Sequence, residues 1–507
     1  MSVSHGSISR PTFEPPSRED TRAQISSAND APLYVDLDGT LIYSDLLFES
    51  FLLLIKRNFF YIFLCVLWLL RGRAYLKTQI AQRIDLDASL LPYNEELLAW
   101  LRQQRAGGRR LVLASASDRG LVQQVADHLD LFDGVLGSEA SHNLKSRMKL
   151  QAIEQDLASH GFGNRFAYAG NASPDLAVWE SAAEIIVINA RPAILKQAEK
   201  LRTPSLVIAP RPFRVRQLIK ALRLHQWAKN ALLFVPLMAA HELQAERWLS
   251  TLLAFVAFGM CASATYIVND LFDLASDRAH PRKRARPFAA ATLTIPFGLA
   301  LIVILLPLSL WLAAAISLSF FGLMILYVIV TLMYSARLKQ LAIVDVLVLA
   351  SLYTHRILAG GEVSDVVISN WLLAVSLFMF LSLALVKRCA ELEVMSEGGR
   401  TSAAGRGYRT SDLSYLISMG IASGFVAVML LALYIDSQEN GEMYPHAEVL
   451  WLILPLMLFW IMRLWLKIAR MEIHDDPLLF AITDRASWIV AFLVGCVALA
   501  ASFGGWT

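Results

Sequence analysis

The stretch VNDLFDLASDRAHPRKRARPFAAA, residues 268–291, closes a long apolar run, WLSTLLAFVAFGMCASATYI (248–267). Three carboxylates come first, Asp270, Asp273 and Asp277, and five cations follow, Arg278, Arg282, Lys283, Arg284 and Arg286. On a continuous helix, positions 270, 273 and 277 fall at i, i+3 and i+7 and share one face, with Asn269 beside them. Three unpaired acids at a membrane mouth would repel one another. An oxygen-rich cluster of this kind suits Mg²⁺, which takes one or two carboxylates together with a substrate's phosphates. Lys283 and Arg286 are then placed to hold the remaining phosphate oxygens. A solvated loop that anchors topology would explain the cations, but not three aligned acids at the end of a span.

The surrounding composition agrees with a membrane setting. Of 507 residues, 56% are hydrophobic and 18% charged, and the mean hydropathy is +0.48. Ordinary soluble proteins do not combine these values. The net charge of +3 gives no footprint for nucleic acid. The four cysteines, Cys65, Cys261, Cys389 and Cys496, lie scattered without disulfide or zinc spacing. From residue 226 onward, nine apolar segments read as spans: 226–241, 248–269, 295–315, 316–334, 342–359, 369–387, 413–434, 448–467 and 487–505. Alternate loops (270–294, 335–341, 387–412, 463–486) carry sixteen Lys and Arg, and the opposite loops only Arg247. That bias puts the basic loops and the N-terminal part in the cytosol of a bacterial-type inner membrane, with the C-terminus outside.

The N-terminal half reads differently. Residues 1–32 lack an apolar h-region and read as a disordered polar tail. Between 33 and 200, LYVDLDG, RLVLASAS, RFAYAGN and EIIVIN each read as a buried parallel strand ending in small or polar residues, the pattern of an α/β domain with its site at the carboxyl ends of the strands. The apolar stretch 46–70 would put Lys56 and Arg57 near the bilayer centre if it crossed once, at about 2.5–3.5 kcal/mol each. Two short helices dipping into one leaflet fit better. Residues 201–225 are basic and proline-punctuated, and read as a linker, either interfacial or solvated.

In YVDLDGTL, Asp36 and Asp38 share a face just past a strand. One carboxylate there can attack phosphorus while the other protonates the leaving oxygen. Thr40 completes the turn, Ser115 offers a hydroxyl to phosphoryl oxygens, and Lys149 neutralises developing charge. Asn171 and Asp175, in GNASPD, sit where a metal would be held. Over residues 33–195 this order of motifs resembles the haloacid dehalogenase superfamily. The resemblance implies Asp36 as nucleophile, Asp38 as general acid/base, Ser115 and Lys149 as phosphate binders, and Mg²⁺ as cofactor. Asn171 departs from it, since the superfamily usually has Asp there and a neutral ligand gives Mg²⁺ less charge.

Over residues 215–507 the chain resembles the UbiA superfamily of intramembrane transferases, through the NDxxDxxxD pattern (Asn269, Asp270, Asp273, Asp277) and the nine-helix count. The resemblance implies acids that bind Mg²⁺ and a diphosphate. The usual second acidic DxxxD motif is missing. In its place stand Tyr334, Lys339, a single Asp345, and Arg356 eleven residues on. The next basic loop supplies Lys387, Arg388 and Tyr408, and the first span begins with Gln226, Lys229 and Asn230. A site poor in acid and rich in base suits an acceptor that is itself a phosphate. With the HPxKxxRP run (His280, Pro281, Lys283, Arg286, Pro287), these details resemble the decaprenyl-phosphate phosphoribosyltransferase branch, which implies phosphoribosyl diphosphate and a polyprenyl phosphate as substrates. An aromatic prenyltransferase acting on a polyprenyl diphosphate shares the fold and metal, and a transporter or scaffold would use intramembrane acids for ion movement. The expected architecture is therefore multidomain: an α/β, Rossmann-like haloacid dehalogenase fold, then an all-α UbiA-type transmembrane bundle over 226–507. A homo-oligomer is left open.

Overall fold

The computed structural model describes residues 31–139, 144–397, 407–437, 444, 446–472, 480–481 and 483–502. The polar tail, except for its last two residues, lies outside these. The chain forms two compact units. The first extends to Leu218 and takes in Asp270–Gly298; the second comprises Ile219–Asn269 and the residues from Leu299 onward.

The first unit is built on a six-stranded, wholly parallel sheet in the order β3-β2-β1-β4-β5-β6. The strands are β1 (Leu33–Val35), β2 (Leu111–Asp118), β3 (Gly134–Ser138), β4 (Ala167–Gly170), β5 (Glu184–Ile188) and β6 (Leu206–Ile208). Their side chains alternate into two cores. Leu33, Val35, Leu111, Leu113, Ala167 and Ala169 face one layer, while Tyr34, Val112, Ala114, Phe166 and Tyr168 face the other. Burial on both faces explains why these strands read as continuous apolar runs. The order reverses between β1 and β4, so a crevice opens at the carboxyl ends of these two strands. Four strands match the sequence reading. β3 and β6 are additional, and β6 falls inside the segment 201–225, which is thus not merely a linker: it adds an edge strand and the helix Val215–Leu222.

The apolar stretch 46–70 forms two short helices, Leu46–Arg57 and Tyr61–Leu70. The first is capped by the Asp45 carboxylate, which accepts from Leu47 N at 2.9 Å. Ten residues, about 15 Å of helix, cannot span a bilayer. The second helix buries only Cys65 and exposes Phe63, Leu64, Val66, Leu67, Leu69 and Leu70.

The segment 270–298 belongs to the first unit rather than to the bundle, contrary to a domain boundary at 225/226. Its packing explains this: Leu271, Leu274 and Ala275 share an apolar seat with Leu52, Leu53 and Leu90.

The second unit is all-helical. Among the described residues, seven helices are long and apolar enough to cross a membrane. The other two expected spans are present as helical segments of a different kind. Residues 224–239 form a 3₁₀ run, Leu224–Phe234, continued by the short α-helix Val235–Ala239, where Pro236 occupies an early position that needs no donated N–H. Val344–Ser364 spans 21 residues but buries Asp345, His355 and Arg356. Helices approach closely through glycine. A Cβ on Gly420 would lie 2.1 Å from the Trp465 ring, whereas one on Gly322 would meet nothing. Gly420→Ala is therefore expected to cost about 1–3 kcal/mol by overpacking, and Gly322→Ala to be neutral or slightly stabilising. Thermal unfolding of both variants in detergent checks the contrast.

Candidate active sites

The crevice of the α/β unit gathers most of the residues singled out in its sequence. Asp36 follows β1, and its backbone N donates to Ala169 O at 2.9 Å, which ties residue 36 to β4. Lys149 Nζ donates to Asp36 Oδ1 at 2.7 Å and to the Tyr168 hydroxyl at 2.8 Å. Tyr168 passes the chain on to Asp175 Oδ1 at 2.7 Å. Burial pushes the Asp36 carboxyl up to about 7, against the pull of the Lys149 ammonium. Burial works against the charge on Lys149, but Asp36 and Asp175 outweigh it and hold its pKa above the ordinary value. The Tyr168 hydroxyl, buried beside two carboxylates, stays protonated and so remains a donor.

Asp38 is held from three directions. Leu46 N donates to Oδ1 at 2.7 Å, and the Ser115 and Ser117 hydroxyls donate to Oδ2 at 3.1 and 2.8 Å. Ser117 was not anticipated, although residues 115 and 117 share a strand face, as do 36 and 38. Thr40 is fully buried and its hydroxyl has no partner. Gly39 adopts φ +76°, and a Cβ there would sit 2.1 Å from Asn171 Nδ2, so the loop and Asn171 fit only with glycine.

Asp175 does not stand in for the acid absent at 171. Its second oxygen accepts the backbone amides of Asn171 and Ala172, both at 3.0 Å, and its first accepts Tyr168. Asp175 shapes the loop. The oxygen donors left toward the crevice are the Asp36 carboxylate and the Asn171 amide, a set that Mg²⁺ accepts with one fewer negative charge.

The acid-rich segment of the same unit differs from a single amphipathic helix. The helix Ala245–Phe272 ends before Asp273, and a new one, Leu274–Ala279, begins after it. Asp273 O accepts Asp277 N at 2.8 Å and the Ser276 hydroxyl at 2.8 Å. The break separates the three carboxylates. Asp270 and Asp277, both buried, converge on Arg286 NH1 at 3.2 and 2.7 Å. Asp273 is more exposed and lies 4.0 Å from Lys56. Lys283 is exposed on a 3₁₀ turn. Among the described residues, no group of three or more His, Cys, Asp or Glu is arranged to hold a metal ion. Two converging carboxylates still suit Mg²⁺ that arrives with a diphosphate, since substrate oxygens complete its octahedron.

The second unit contains two polar clusters on the helix Val344–Ser364. At its start, Asp345 is fully buried and pairs with Arg388 Nε at 2.7 Å. It also accepts the Tyr408 hydroxyl, which in turn accepts Ile343 N at 2.8 Å. Arg388 bonds Glu391 and reaches Tyr334 OH at 3.5 Å. Eleven residues on, about 16 Å along a helix, Arg356 is buried. It donates to Asn230 Oδ1 at 3.1 Å, to Leu352 O at 2.6 Å and to Tyr327 OH at 3.4 Å. The guanidinium lies over the rings of Phe258, Tyr327 and Tyr353 at 5.2–5.6 Å. Among the described residues no carboxylate pairs with it. Lys229 Nζ lies 5.6 Å from the Tyr353 ring centroid. Gln226, Asn269, Lys339 and Lys387 are all partly buried, the last next to Arg388 in sequence. Near the last loop Arg463 pairs with Asp484 at 2.7 and 2.9 Å; Asp475 and Asp476 lie outside the described residues.

The chain is 35% identical over 481 residues to the uncharacterized protein y4nM of Sinorhizobium fredii, covering 91% of this chain and 89% of that one. It is 32% identical to the decaprenyl-phosphate phosphoribosyltransferase of Mycolicibacterium smegmatis, across 46% of this chain and 76% of that protein. A UbiA homolog from Archaeoglobus fulgidus bound to DMAPP and Mg²⁺ superposes on 56% of this chain and 98% of its own, with 17% identity and a TM-score of 0.43. Residues 231–477 match the model of the UbiA prenyltransferase family. The chain, an α/β domain joined to a helical membrane transferase, belongs to that family.

Proposed function

We propose that the chain transfers 5-phosphoribose from phosphoribosyl diphosphate to a polyprenyl phosphate, and that its α/β domain then removes the 5-phosphate. The observation that carries the first step is Arg356: a buried guanidinium without a carboxylate partner inside a bundle read as membrane-spanning. An uncompensated charge there is costly, and an acceptor bearing its own phosphate supplies the missing anion. The relative in Mycolicibacterium smegmatis, named for the same acceptor class, supports this reading. In the reaction, the bond from ribose C1 to the diphosphate oxygen breaks. A lipid phosphate oxygen forms the new bond to C1, and pyrophosphate leaves. Asp270 and Asp277 would hold Mg²⁺, which neutralises charge on the leaving diphosphate. Arg286, already between these acids, and Lys283 orient phosphate oxygens. Asn230 keeps Arg356 aimed.

Membranes given Mg²⁺ and labelled phosphoribosyl diphosphate should pass the label to the lipid fraction. Asp270→Asn and Asp277→Asn should each lower that transfer by at least about 100-fold. Entry of a labelled aromatic acid into lipid instead would replace this reading with aromatic prenyl transfer; entry of neither label would point to a transporter or scaffold.

For the second step, an Asp36 oxygen would bond to phosphorus as the bond from phosphorus to the ribose 5-oxygen breaks; Asp38 would protonate that leaving oxygen and then take a proton from the water that hydrolyses the aspartyl phosphate to free phosphate, while Lys149 and Ser115 would offer donors to the phosphoryl oxygens. Asp36→Asn should leave phosphoribosyl transfer intact while the product keeps its 5-phosphate. Unchanged phosphate content between wild type and Asp36→Asn would show that the domain does not turn this product over.

The exposed helix Tyr61–Leu70 fits the same scheme as a one-leaflet anchor. It carries no charge and is bracketed by Lys56, Arg57, Arg71 and Arg73, which suit anionic headgroups. The basic loops and this domain are then on the cytosolic side. In nanodiscs containing a photoactivatable lipid, peptides spanning 59–70 should be labelled along with the membrane helices. Labelled spans without labelled 59–70 would remove the anchor.

A further inference from the structure

Arg278 was not among the residues expected to act, yet it makes one of the best-formed charge pairs in the first unit. Its NH2 meets Glu49 Oε1 at 2.7 Å and its NH1 meets Glu49 Oε2 at 3.1 Å. The two side chains are 9% and 7% exposed. The rest of the fork is also used: NH1 reaches Leu90 O at 3.3 Å, and Nε donates to Ala289 O at 3.1 Å. A two-pronged, nearly dry arginine–carboxylate contact fixes orientation as well as distance. Such a pair adds little net stability over an apolar substitute, so its physical effect here is to set register.

Each end of the pair leads to a candidate site. Glu49 sits one turn into the helix Leu46–Arg57, whose first amide, Leu46 N, donates to Asp38. Glu49 also accepts the Ser44 hydroxyl, and Ser44 O accepts Gly39 N at 3.1 Å in the DLDGT loop. On the other side, Arg278 directly follows Asp277, one of the two carboxylates that clasp Arg286. The same helix thus touches the phosphatase-like loop at its start and the acid-bearing segment one turn later.

We infer that Glu49 and Arg278 are positioning residues for the diphosphate site: the α/β domain holds the segment 270–298 in the register that brings Asp270 and Asp277 together. The inference rests on the reading of Asp270 and Asp277 as holders of a diphosphate.

The test uses the full chain in nanodiscs, with inorganic pyrophosphate and Mn²⁺ as probe. Glu49→Gln keeps size and hydrogen bonding but removes the charge. It should weaken Mn²⁺–pyrophosphate binding about tenfold, within the usual range of coupling between linked sites. Without metal, it should speed amide exchange across 270–286 and leave the strands of the sheet unchanged. Glu96→Gln, at an exposed acid in the first turn of the helix Glu95–Ala106, should do neither. The swap Glu49→Arg with Arg278→Glu restores the pair and should recover binding. It also decides the matter if Glu49→Gln alone aggregates. Wild-type binding matched by Glu49→Gln, or a swap no better than the single variant, overturns the inference. A wild-type protein that neither binds pyrophosphate nor transfers phosphoribose overturns instead the reading on which it rests.

Discussion

A charged side chain taken out of water must meet an opposite charge or a full set of hydrogen bonds, and that requirement organises both units of this chain. Asp36 is met by Lys149, Asp270 and Asp277 by Arg286, Asp345 by Arg388, and Glu49 by Arg278. Each pair joins segments that are distant in sequence or brackets a break in a helix. The backbone between them is held where the pair requires it. Arg356 is the departure from the pattern. Its hydrogen bonds and three aromatic rings hold the guanidinium in place, but they are neutral. Among the described residues, its hydrogen bonds are met while no carboxylate meets its charge.

The two sites differ in how their carboxylates are occupied. In the crevice of the sheet, Asp38 already accepts two hydroxyls and an amide, and Asp175 accepts a hydroxyl and two amides. Those groups are fixed before any substrate arrives, and preorganisation of this kind removes reorganisation from the chemical step. Asp36 alone keeps an oxygen outside its pair with Lys149. In the acid-rich segment, by contrast, Asp270 and Asp277 both meet the Arg286 guanidinium, which is itself partly exposed.

The sequence made the strand-borne residues legible because a period of two needs no tertiary information. Asp36 with Asp38, and Ser115 after an apolar run, could be placed on one face from spacing alone. The same rule would have found Ser117. β3 escaped because GVLGS is short and glycine-flanked, and β6 because LVI is three residues inside a basic, proline-rich stretch. Composition described that stretch correctly, but an edge strand needs only one neighbour to form. Seven of the nine expected spans are present, among the described residues, as helices long and apolar enough to cross a membrane. The periodic argument failed at Asp273. Helical spacing presumes an unbroken backbone, and nothing in FDLASD announces that one helix ends at Phe272 and another starts at Leu274, with Asp273 between them.

Arg278 shows a different limit. In sequence it is one of five cations after three acids, and a count gives no reason to separate it from its neighbours. Only the fold distinguishes them. Arg282 and Arg284 lie exposed, Arg286 turns back onto the acids, and Arg278 crosses 229 positions of sequence to reach Glu49. Glu49 is equally anonymous, an acid in the first turn of a helix where the macrodipole already favours it. Local electrostatics accounts for its presence there but not for its burial. Desolvating a carboxylate on an otherwise apolar helix is unfavourable unless a cation comes to it, and the cation that comes belongs to the segment that carries Asp277. The pair ties the helix Leu46–Arg57 to the segment that carries Asp277.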